Sequence, residues 1–266
     1  MLKNFEKDSA YDPSTIQISC NYHTHNFLCG HAGGTVCDYV KEAVAHGLKT
    51  IGISDHCASP LGTCEPYVMP KTLRSRYLPQ FDEAREKYGD KIEILSAVEI
   101  EFFPDFDEYY ETLLTDLDYL VLGQHEYLMN GRRQNSFCDG VDEKNIAAYC
   151  KNVEQGLKSG FFALLAHPDL IFYRRPQMTE EIKNVFEHMI RTAVDCGVTL
   201  ELNANGIRYH NFNYPTDLLV DLCKKYDAKV VVSADCHSPD ALCDDCTMRL
   251  TAYARKHKLK LVDKII

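Results

Sequence analysis

Residues 16–56 read IQISCNYHTHNFLCGHAGGTVCDYVKEAVAHGLKTIGISDH, and this stretch contains two strand-like segments with one helix-like segment between them. Residues 16–23 and 50–54 are short apolar and β-branched runs of the kind that form buried strands. Residues 36–46 have helical spacing, with Thr35 in the N-cap position, an acidic residue three positions later and a glycine after the last turn. A strand, a helix and another strand in this order predict a β-α-β unit with two parallel strands.

The same alternation continues along the rest of the chain. Further strand-like runs lie at residues 92–100, 119–123, 161–166, 198–203 and 229–234. Helix-like stretches lie at residues 73–88, 106–117, 143–158, 180–196, 217–226 and 241–257. Pro79 is expected to end or kink the first of these stretches, because proline lacks the N–H that a helix interior needs. Each of the seven predicted strands is therefore followed by a predicted helix.

This pattern predicts an α/β fold in which helices cover a parallel sheet. No Ser-, Gly- or Pro-rich linker, repeat or low-complexity tract divides the sequence, so residues 1–266 are expected to form a single domain. A closed or nearly closed barrel suits such alternation, and seven strand-helix units are one fewer than the usual eight. A doubly wound open sheet is the alternative architecture.

The composition excludes several classes of protein. Apolar residues make up 45% of the chain, with 12 Phe and 16 Tyr, which excludes a disordered protein. The formal net charge of −10 disfavours binding to nucleic acid, whose affinity comes largely from Lys and Arg on phosphates. The longest apolar runs, such as residues 160–166, are too short to span a membrane, and residues 1–8 lack an apolar signal region. We expect a soluble cytoplasmic protein that binds neither nucleic acid nor membranes.

The twelve cysteines are expected to stay reduced, because nothing in the sequence directs export. Cys243 and Cys246 form a lone C-x-x-C pair, without a second pair at the spacing of a zinc finger. The pair is either a metal or redox site or two ordinary helix residues.

Histidines are concentrated where the predicted strands end. Seven of the eleven lie at or just after strand ends: His23, His25, His31, His56, His125, His167 and His237. Three carboxylates accompany them: Asp55, Glu99 and Asp235. Barrel enzymes carry their chemistry at this rim, and residues two apart on a strand share a face. A single histidine there is usually a structural residue, but so many polar groups would be costly to bury without a cation. The pattern predicts a site for Zn²⁺, Mn²⁺ or Fe²⁺.

The order of these motifs resembles that of the PHP (polymerase and histidinol phosphatase) superfamily. The matching motifs run from about Tyr22 to Pro239. They are H-x-H (His23, Thr24, His25), His31, D-H (Asp55, His56), Glu99, His125, H-P-D (His167, Pro168, Asp169) and D-x-H (Asp235, Cys236, His237). The resemblance implies a distorted seven-stranded (β/α)7 barrel with a trinuclear metal site at the C-terminal strand ends.

Carried over residue by residue, the resemblance implies three sets of ligands for three divalent ions. The first set is His23, His25, Glu99 and Asp235. The second shares Glu99 and adds His125 and His167. The third is His31, His56 and His237. Zn, Mn and Fe are all compatible with this mixture of imidazoles and carboxylates.

Two carboxylates near these ligands are open to more than one interpretation. Glu101 shares a strand face with Glu99, but the family motif has its Glu after a small and then an aliphatic residue, here Ala97 and Val98, which favours Glu99. Asp55 either orients a ligating histidine or caps a loop.

Residues 201–208, ELNANGIR, followed by Tyr214-Pro215, resemble the histidinol-phosphate phosphatase branch of the superfamily. The resemblance implies hydrolysis of L-histidinol phosphate to L-histidinol and phosphate, a step of histidine biosynthesis. Two positions depart from the branch pattern, because Gln124 replaces an expected Ser and Asn205 an expected small residue.

Several further residues are predicted to bind the substrate or to act in the reaction. Arg208, Arg174 and Arg175 are candidate phosphate ligands, since guanidinium groups match phosphate oxygens. Asp235, His237 and Arg208 are predicted to take part in the reaction, in which a hydroxide shared by two ions attacks phosphorus. Candidate contacts to the ammonium and imidazole of the substrate are Glu101, Glu126, Phe102, Tyr127 and Tyr173.

Three other functions stay open at this point. A PHP phosphatase could act on protein phosphotyrosine, or on a nucleotide phosphate, with the same metal ligands. The chain could also be a metal-binding module without catalytic activity. The partner expected from the sequence is a small phosphorylated metabolite.

Overall fold

The main sheet consists of parallel strands only. The computed structural model of this protein describes residues 2–62, 72–137, 141–174, 177–209 and 212–266. The strands in these residues are β1 (Cys20–Asn21), β2 (Thr50–His56), β3 (Glu93–Ile100), β4 (Tyr119–Leu122), β5 (Glu126–Met129), β6 (Arg132–Asn135), β7 (Phe162–Leu165), β8 (Thr199–Asn203), β9 (Lys229–Ser233) and β10 (Lys260–Leu261). Eight of them pair in the order β1-β2-β3-β4-β7-β8-β9-β10, which follows the chain. A doubly wound sheet, whose strand order reverses near its centre, is therefore excluded.

The sheet curls until β1 and β9 lie next to each other. Just beyond β1 and β9, Thr24 and Cys236 form a parallel bridge, and the His25 N–H donates to the Cys236 carbonyl oxygen at 3.0 Å. Lower in the barrel, the Tyr22 hydroxyl donates to the Asp263 carbonyl oxygen at 2.7 Å, which holds the segment after β10 against β1. The predicted barrel-like α/β fold is confirmed, with the short β10 as an eighth strand that the sequence did not reveal.

Helices connect the strands and cover the outer face of the sheet. They are α1 (Phe5–Asp8), α2 (Val36–Ala45), α3 (Leu78–Tyr88), α4 (Asp107–Leu114), α5 (Glu143–Ser159), α6 (Glu180–Asp195), α7 (Asn205–Arg208), α8 (Asp217–Lys225) and α9 (Asp245–Lys256). The predicted N-cap of α2 is confirmed, because Thr35 and Asp38 form a reciprocal capping box. Throughout the described ranges, the helices are too short or too polar to cross a membrane.

Pro79 marks a change of helix type rather than the end of a helix. A π-helical turn, Leu73–Tyr77, precedes α3, and Pro79 lies in the first turn of α3. Proline is tolerated there because the first N–H groups of a helix have no partner within it. The predicted stretch 73–88 is thus divided just before Pro79.

The hairpin of β5 and β6 leaves the barrel after β4 and was not predicted. Its turn is Asn130-Gly131, with φ angles of 53° and 73°, the left-handed pair that a two-residue hairpin turn requires. Asn-Gly is a strong sequence signal for such a turn. The signal was missed because β6 (Arg132–Asn135) has no apolar run to mark it as a strand.

A small apolar layer fills the inside of the barrel. Its buried members are Cys20, Tyr22, Ala97, Tyr119, Val121, Leu164, Ala166 and Val231. The Tyr119 hydroxyl crosses this layer and donates to the Tyr22 carbonyl oxygen at 2.7 Å. Gly52 leaves the room for it, since a Cβ at that position would lie 1.9 Å from the Tyr119 oxygen. This layer supports the side chains at the carboxyl rim.

Candidate metal centre

The strand ends at the carboxyl rim bring the nine predicted metal ligands together. All nine lie in described residues: His23, His25, His31, His56, Glu99, His125, His167, Asp235 and His237. They come from strands β1, β2, β3, β4, β7 and β9, whose carboxyl ends converge because the sheet is parallel and curled. The result is one continuous cluster of imidazoles and carboxylates.

The innermost part of the cluster is formed by the H-x-H motif and Asp235. The Nε2 atoms of His23 and His25 lie 3.1 Å apart. His25 Nε2 is 3.1 Å from Asp235 Oδ1, and His23 Nε2 is 3.3 Å from Glu99 Oε2. The i and i+2 positions of the histidines thus point both rings to one place, as the strand spacing predicted.

Glu99 lies at the centre of the cluster. Its Oε1 is 2.8 Å from His167 Nε2 and 3.4 Å from His125 Nε2, and its Oε2 is 3.0 Å from His56 Nδ1. Gly123 makes space for this carboxylate, since a Cβ there would lie 2.1 Å from Glu99 Oε1. The position favours Glu99 over Glu101 as the shared ligand.

The outermost donors are the imidazoles of the predicted third set, which stays a prediction. His31 Nε2 lies 2.9 Å from His237 Nε2. Groups of three donors whose ligand atoms lie within 4.8 Å of one another are, in the described residues, His25–His56–His237, Cys29–His31–His237, His23–His25–Asp235, His23–Glu99–His167 and His56–Glu99–His125. His56 lies between the centre and the outer edge, because it belongs to a group with Glu99 and its ring centre is 5.3 Å from that of His31. Neither Cys243 nor Cys246 belongs to any of these groups; Cys243 precedes α9 and Cys246 lies in its first turn.

Glu201 belongs to the motif of residues 201–208, although the sequence assigned it no role. In the structure it contacts and orients two of the predicted ligands. It is fully buried on β8, and its Oε1 lies 2.9 Å from His23 Nδ1. Its Oε2 accepts the His167 backbone N–H at 2.8 Å and the Asn203 amide at 2.8 Å. A carboxylate behind an imidazole fixes its tautomer and leaves the other nitrogen for a metal. The signal for it was a Glu within an apolar strand, on the same face as Asn203.

Two more carboxylates lie behind imidazoles, at longer distances than Glu201. Asp55 Oδ1 is 3.5 Å from His25 Nδ1, and Glu101 Oε1 is 3.3 Å from His125 Nδ1. Both are buried on the side of the ring that faces away from the centre. This geometry supports the interpretation of Asp55 as an orienting group, and gives Glu101 the same role.

The electrostatics of the cluster keep the central carboxylates ionised. Burial would raise the pKa of Glu99, but the imidazoles of His125 and His23 outweigh burial and hold it well below its ordinary range. The pKa of Asp235 is likewise held well below its ordinary range, because His23 and His25 outweigh its burial. Both carboxylates are therefore negative and able to bind a cation.

The imidazoles of His56 and His237 are held in the neutral state. Burial, and then the charge of His25, lowers the pKa of His56 well below its ordinary value. The same two causes lower the pKa of His237 to about 3. A neutral imidazole has a free lone pair, which is the form that binds a metal.

The residues present fit a group of divalent cations. Glu99 Oε2 is buried without a well-formed hydrogen bond, although imidazole nitrogens surround it. Two pairs of imidazoles face each other nitrogen to nitrogen, His23 with His25 and His31 with His237. Such crowding of buried donors is costly unless ions lie among them. Imidazole and carboxylate donors suit borderline ions such as zinc.

Two of the predicted ligands are held in backbone conformations that residues with side chains rarely adopt. The φ angle is 29° at His167 and 43° at Asp235. Positive φ is unfavourable for residues with a Cβ and persists where the surroundings impose it. Here the His167 N–H is bound by Glu201, and the Asp235 N–H donates to the His23 carbonyl oxygen at 3.0 Å. The strain directs both side chains into the cluster.

A cavity of about 400 Å³ opens above the donor cluster. Its walls include the aromatic side chains of Phe137, Tyr209, Phe212 and Tyr214. Its other polar groups include Glu126, Asn135 and Asn205. Within the described part of the chain, no Lys or Arg lines this cavity.

Arg208 lies in a different place from the one predicted. It does not line the cavity, and its Nε and Nη2 form a two-pronged contact with the Asp244 carboxylate at 2.8 and 3.2 Å. Its Nη1 donates to the Ala234 carbonyl oxygen and to Asn205 Oδ1, both at 3.0 Å, and Nη2 also donates to the Ala241 carbonyl oxygen at 3.1 Å. All of its donors are thus used within the protein. The sequence motif identified Arg208 as a residue of interest, but it could not show which acceptors surround its side chain.

The structure does not bring the other predicted phosphate ligands, Arg174 and Arg175, to the cavity within its described residues. Arg174 is exposed, with its guanidinium carbon 4.7 Å from the centre of the Tyr173 ring, and it does not line the cavity. Arg175 lies outside the described residues. A role for either in substrate binding stays a prediction.

The predicted contacts to the leaving group divide into two sets. Glu101 and Glu126 line the cavity. Phe102 and Tyr127 do not, because both rings are buried in the outer core between sheet and helices. Tyr173 supports the wall from behind, with its ring centre 5.3 Å from that of Phe137. Sequence proximity to a ligand therefore identified the acidic contacts better than the aromatic ones.

Comparison with known proteins identifies the family of this chain. The model of the PHP domain family matches residues 21–205. A protein of Deinococcus radiodurans named as a probable histidinol-phosphatase is 24% identical over 83% of this chain and 86% of its own length. One of Schizosaccharomyces pombe with the same name is 27% identical, over 84% and 81%. The solved structure of a histidinol phosphate phosphatase of Lactococcus lactis, in complex with zinc, L-histidinol and phosphate, has a TM-score of 0.72 at 15% identity and covers 92% of this chain and 95% of its own. This chain therefore belongs to the PHP domain family.

Proposed function

We propose that this protein is a metal-dependent phosphomonoesterase that hydrolyses L-histidinol phosphate to L-histidinol and phosphate. The observation that carries the proposal is the cluster of nine imidazole and carboxylate donors at the floor of a cavity with aromatic and acidic walls. The names of relatives that match over most of both chains support the same reaction class.

The proposed ligands divide between a centre and an outer edge. Glu99 and Asp235 supply negative charge at the centre, where His23, His25, His125 and His167 surround them. His56, His31 and His237 complete the outer edge. Three divalent ions of the Zn, Mn or Fe type would be held there, and when bound they would polarise the phosphoryl group and lower the pKa of water.

The chain's own residues define where the ester would lie. Asp235 and His237 line the floor of the cavity, so they would contact the phosphoryl group and the attacking water. Water attacks phosphorus as the bond to the departing oxygen breaks, and the two oxygens lie roughly in line. The aromatic wall limits access of other water to this place.

The upper cavity suits a leaving group with a planar ring and a positive charge. Phe137 and Tyr209 present ring faces or edges to the cavity, which would stack with an imidazole. Glu126 and Glu101 are acidic groups of the same cavity and would attract an ammonium. Histidinol phosphate combines both features, whereas a nucleotide adds further negative charge that these two carboxylates would repel.

The proposal is tested by assaying one metal-loaded preparation against several phosphomonoesters. The protein is purified without oxygen, its metal content is measured, and phosphate release is followed with Mn²⁺, Zn²⁺ or Fe²⁺ added. We expect histidinol phosphate to be hydrolysed with a kcat/KM at least a hundredfold above that for phosphotyrosine peptides or nucleoside monophosphates. A preference for either competitor would replace the proposed substrate. Bound metal without hydrolysis of any ester would favour a metal-binding module.

A further inference from the structure

Asn205 lines the cavity beside the metal cluster, at a position where the histidinol-phosphate phosphatase pattern has a small residue. Its backbone N–H donates to Asn203 Oδ1 at 2.8 Å, which fixes the start of the turn that carries it. Its side-chain Nδ2 lies 3.4 Å from Asp235 Oδ2. The substitution therefore adds a polar group next to a proposed metal ligand.

The orientation of this amide follows from its hydrogen bonds. Asn205 Oδ1 accepts from Arg208 Nη1 at 3.0 Å, and a guanidinium has no acceptor atom. The carbonyl oxygen of the amide must therefore face Arg208, and the NH₂ group must face Asp235 and the cavity. One of its two N–H groups points towards Asp235, and the other has no acceptor among the described residues, so it can donate to a ligand in the cavity.

Arg208 is itself held rigidly by the protein. Asp244, the N-cap of α9, contacts its Nε and Nη2, and the Ala234 carbonyl oxygen accepts from its Nη1 at 3.0 Å. Two-pronged guanidinium–carboxylate contacts fix both groups in one plane. Asp244 at the start of α9 thus fixes Arg208, and Arg208 in turn fixes the Asn205 amide.

We infer that Asn205 is a substrate-binding residue, whose amide N–H donates to a phosphoryl oxygen, and that Arg208 positions this amide. The inference rests on the proposed function, because it assigns a phosphoryl group to the same cavity. A neutral donor suits this place: a cation there would pair with Asp235 and compete with the metal ions for it. The Asn205 amide also supplies a hydrogen-bond donor to a cavity whose lining, across the described residues, contains no Lys or Arg.

Binding of inorganic phosphate to the metal-loaded protein tests the inference without requiring turnover. We expect Asn205→Ala to raise the Kd for phosphate, measured by titration calorimetry, about tenfold to a hundredfold, as for loss of one hydrogen bond to a charged group. Asn205→Asp should raise it further, since a carboxylate repels phosphate. Asn184→Ala, on the exposed face of α6, is the matched control and should leave it within twofold. Metal content and thermal unfolding confirm that each variant is loaded and folded.

A double-mutant cycle separates positioning by Arg208 from direct contact. If Arg208 acts through Asn205, then Arg208→Lys should weaken phosphate binding in the wild-type background and have little further effect in Asn205→Ala. Additive effects would mean that Arg208 contacts phosphate itself, which would overturn the positioning role. Wild-type phosphate affinity in Asn205→Ala would overturn the assignment of Asn205.

Failure of this inference and failure of the proposed function give different results. A wild-type protein that binds phosphate through Asn205 but hydrolyses no phosphomonoester would disprove the phosphatase and leave the binding site. If the Asn205→Ala variant hydrolyses histidinol phosphate as well as the wild type does, the inference is disproved and the proposed function stands. A metal-loaded protein that binds no phosphate would contradict the inference directly.

Discussion

Inside the barrel, the Tyr119 hydroxyl donates to the Tyr22 carbonyl oxygen at 2.7 Å. At the next residue along the chain, by contrast, the imidazole nitrogen of His23 faces that of His25 at 3.1 Å. The apolar layer below satisfies its polar atoms within the protein. The donor cluster above leaves Glu99 Oε2 buried without a well-formed hydrogen bond. The donors lie at or after the carboxyl ends of strands, and earlier residues of several of these strands supply the apolar layer.

This difference shows which layer stabilises the fold and which layer carries groups that destabilise it. Side chains of the lower layer are apolar or paired, and they need nothing from outside the chain. The upper layer has two proposed ligands with positive φ, His167 and Asp235, and carboxylates surrounded by imidazoles. Strained and unsatisfied groups of this kind are typical of functional sites, where a ligand compensates for them. Substitutions in the two layers should therefore separate activity from stability.

The largest effect is expected for Glu99→Gln in the upper layer. The amide keeps the shape but removes the charge shared by His167, His125 and His56, so the metal content should fall and kcat/KM should drop by about a thousandfold or more. Elemental analysis and phosphate release measure both. Glu93→Gln, at the exposed start of the same strand, is the control and should change neither. Full activity in Glu99→Gln would end the distinction between the layers.

A smaller effect is expected behind the ligands, at Glu201. Glu201→Gln keeps a hydrogen-bond acceptor for the His167 N–H but no longer holds the His23 imidazole by charge. Removal of such an orienting carboxylate typically costs tenfold to a hundredfold in metal affinity. Competition with a chelator of known affinity measures this cost. An unchanged metal affinity would mean that Glu201 belongs with the structural layer.

Much of this site could be predicted from the sequence, because its geometry depends on strand period and strand ends. Residues two apart on a strand share a face, which brought His23 and His25 together in the prediction as in the structure. Strand bounds were close for the same reason, since burial in a parallel sheet produces continuous apolar runs such as Phe162–Leu165. The first strand was shorter than predicted, because only Cys20–Asn21 of residues 16–23 pairs with β2.

The contacts that depend on distant acceptors could not be predicted. Arg208 was expected to bind phosphate from its residue type and motif, but Asp244, 36 positions away, is its partner. Nothing in a local pattern reveals which carboxylate a long side chain will meet. The β5–β6 hairpin escaped for another reason: its second strand, Arg132–Asn135, is polar and mostly exposed, so hydrophobic periodicity does not mark it.

In the lower layer, Tyr119→Phe should lower stability without changing the chemistry. The change leaves the buried Tyr22 carbonyl oxygen without its donor, which costs about 1–3 kcal/mol in the free energy of unfolding. Urea denaturation should detect this, while metal content and kcat stay at the wild-type level. Tyr88→Phe, at the half-buried end of α3, serves as the control. A loss of kcat in Tyr119→Phe would show that the two layers are coupled.

The smallest effect concerns the Arg208–Asp244 pair, a fully paired network immediately behind the upper layer. Burial would raise the pKa of Asp244, but Arg208 outweighs it and holds the pKa below its ordinary value of 3.8. A carboxyl group with a depressed pKa stabilises the fold above its unfolded pKa, and the contribution disappears as the pH falls through the folded pKa. Asp244→Asn, which keeps a helix-capping side chain, should therefore lower the free energy of unfolding by about 1 kcal/mol at neutral pH and by progressively less below about pH 4. Unfolding of both proteins in the presence of a chelator removes the contribution of the metal ligands. A difference that stays constant between pH 7 and pH 3 would mean that the charge of Asp244 adds nothing, and that its capping hydrogen bonds alone hold Arg208 in place.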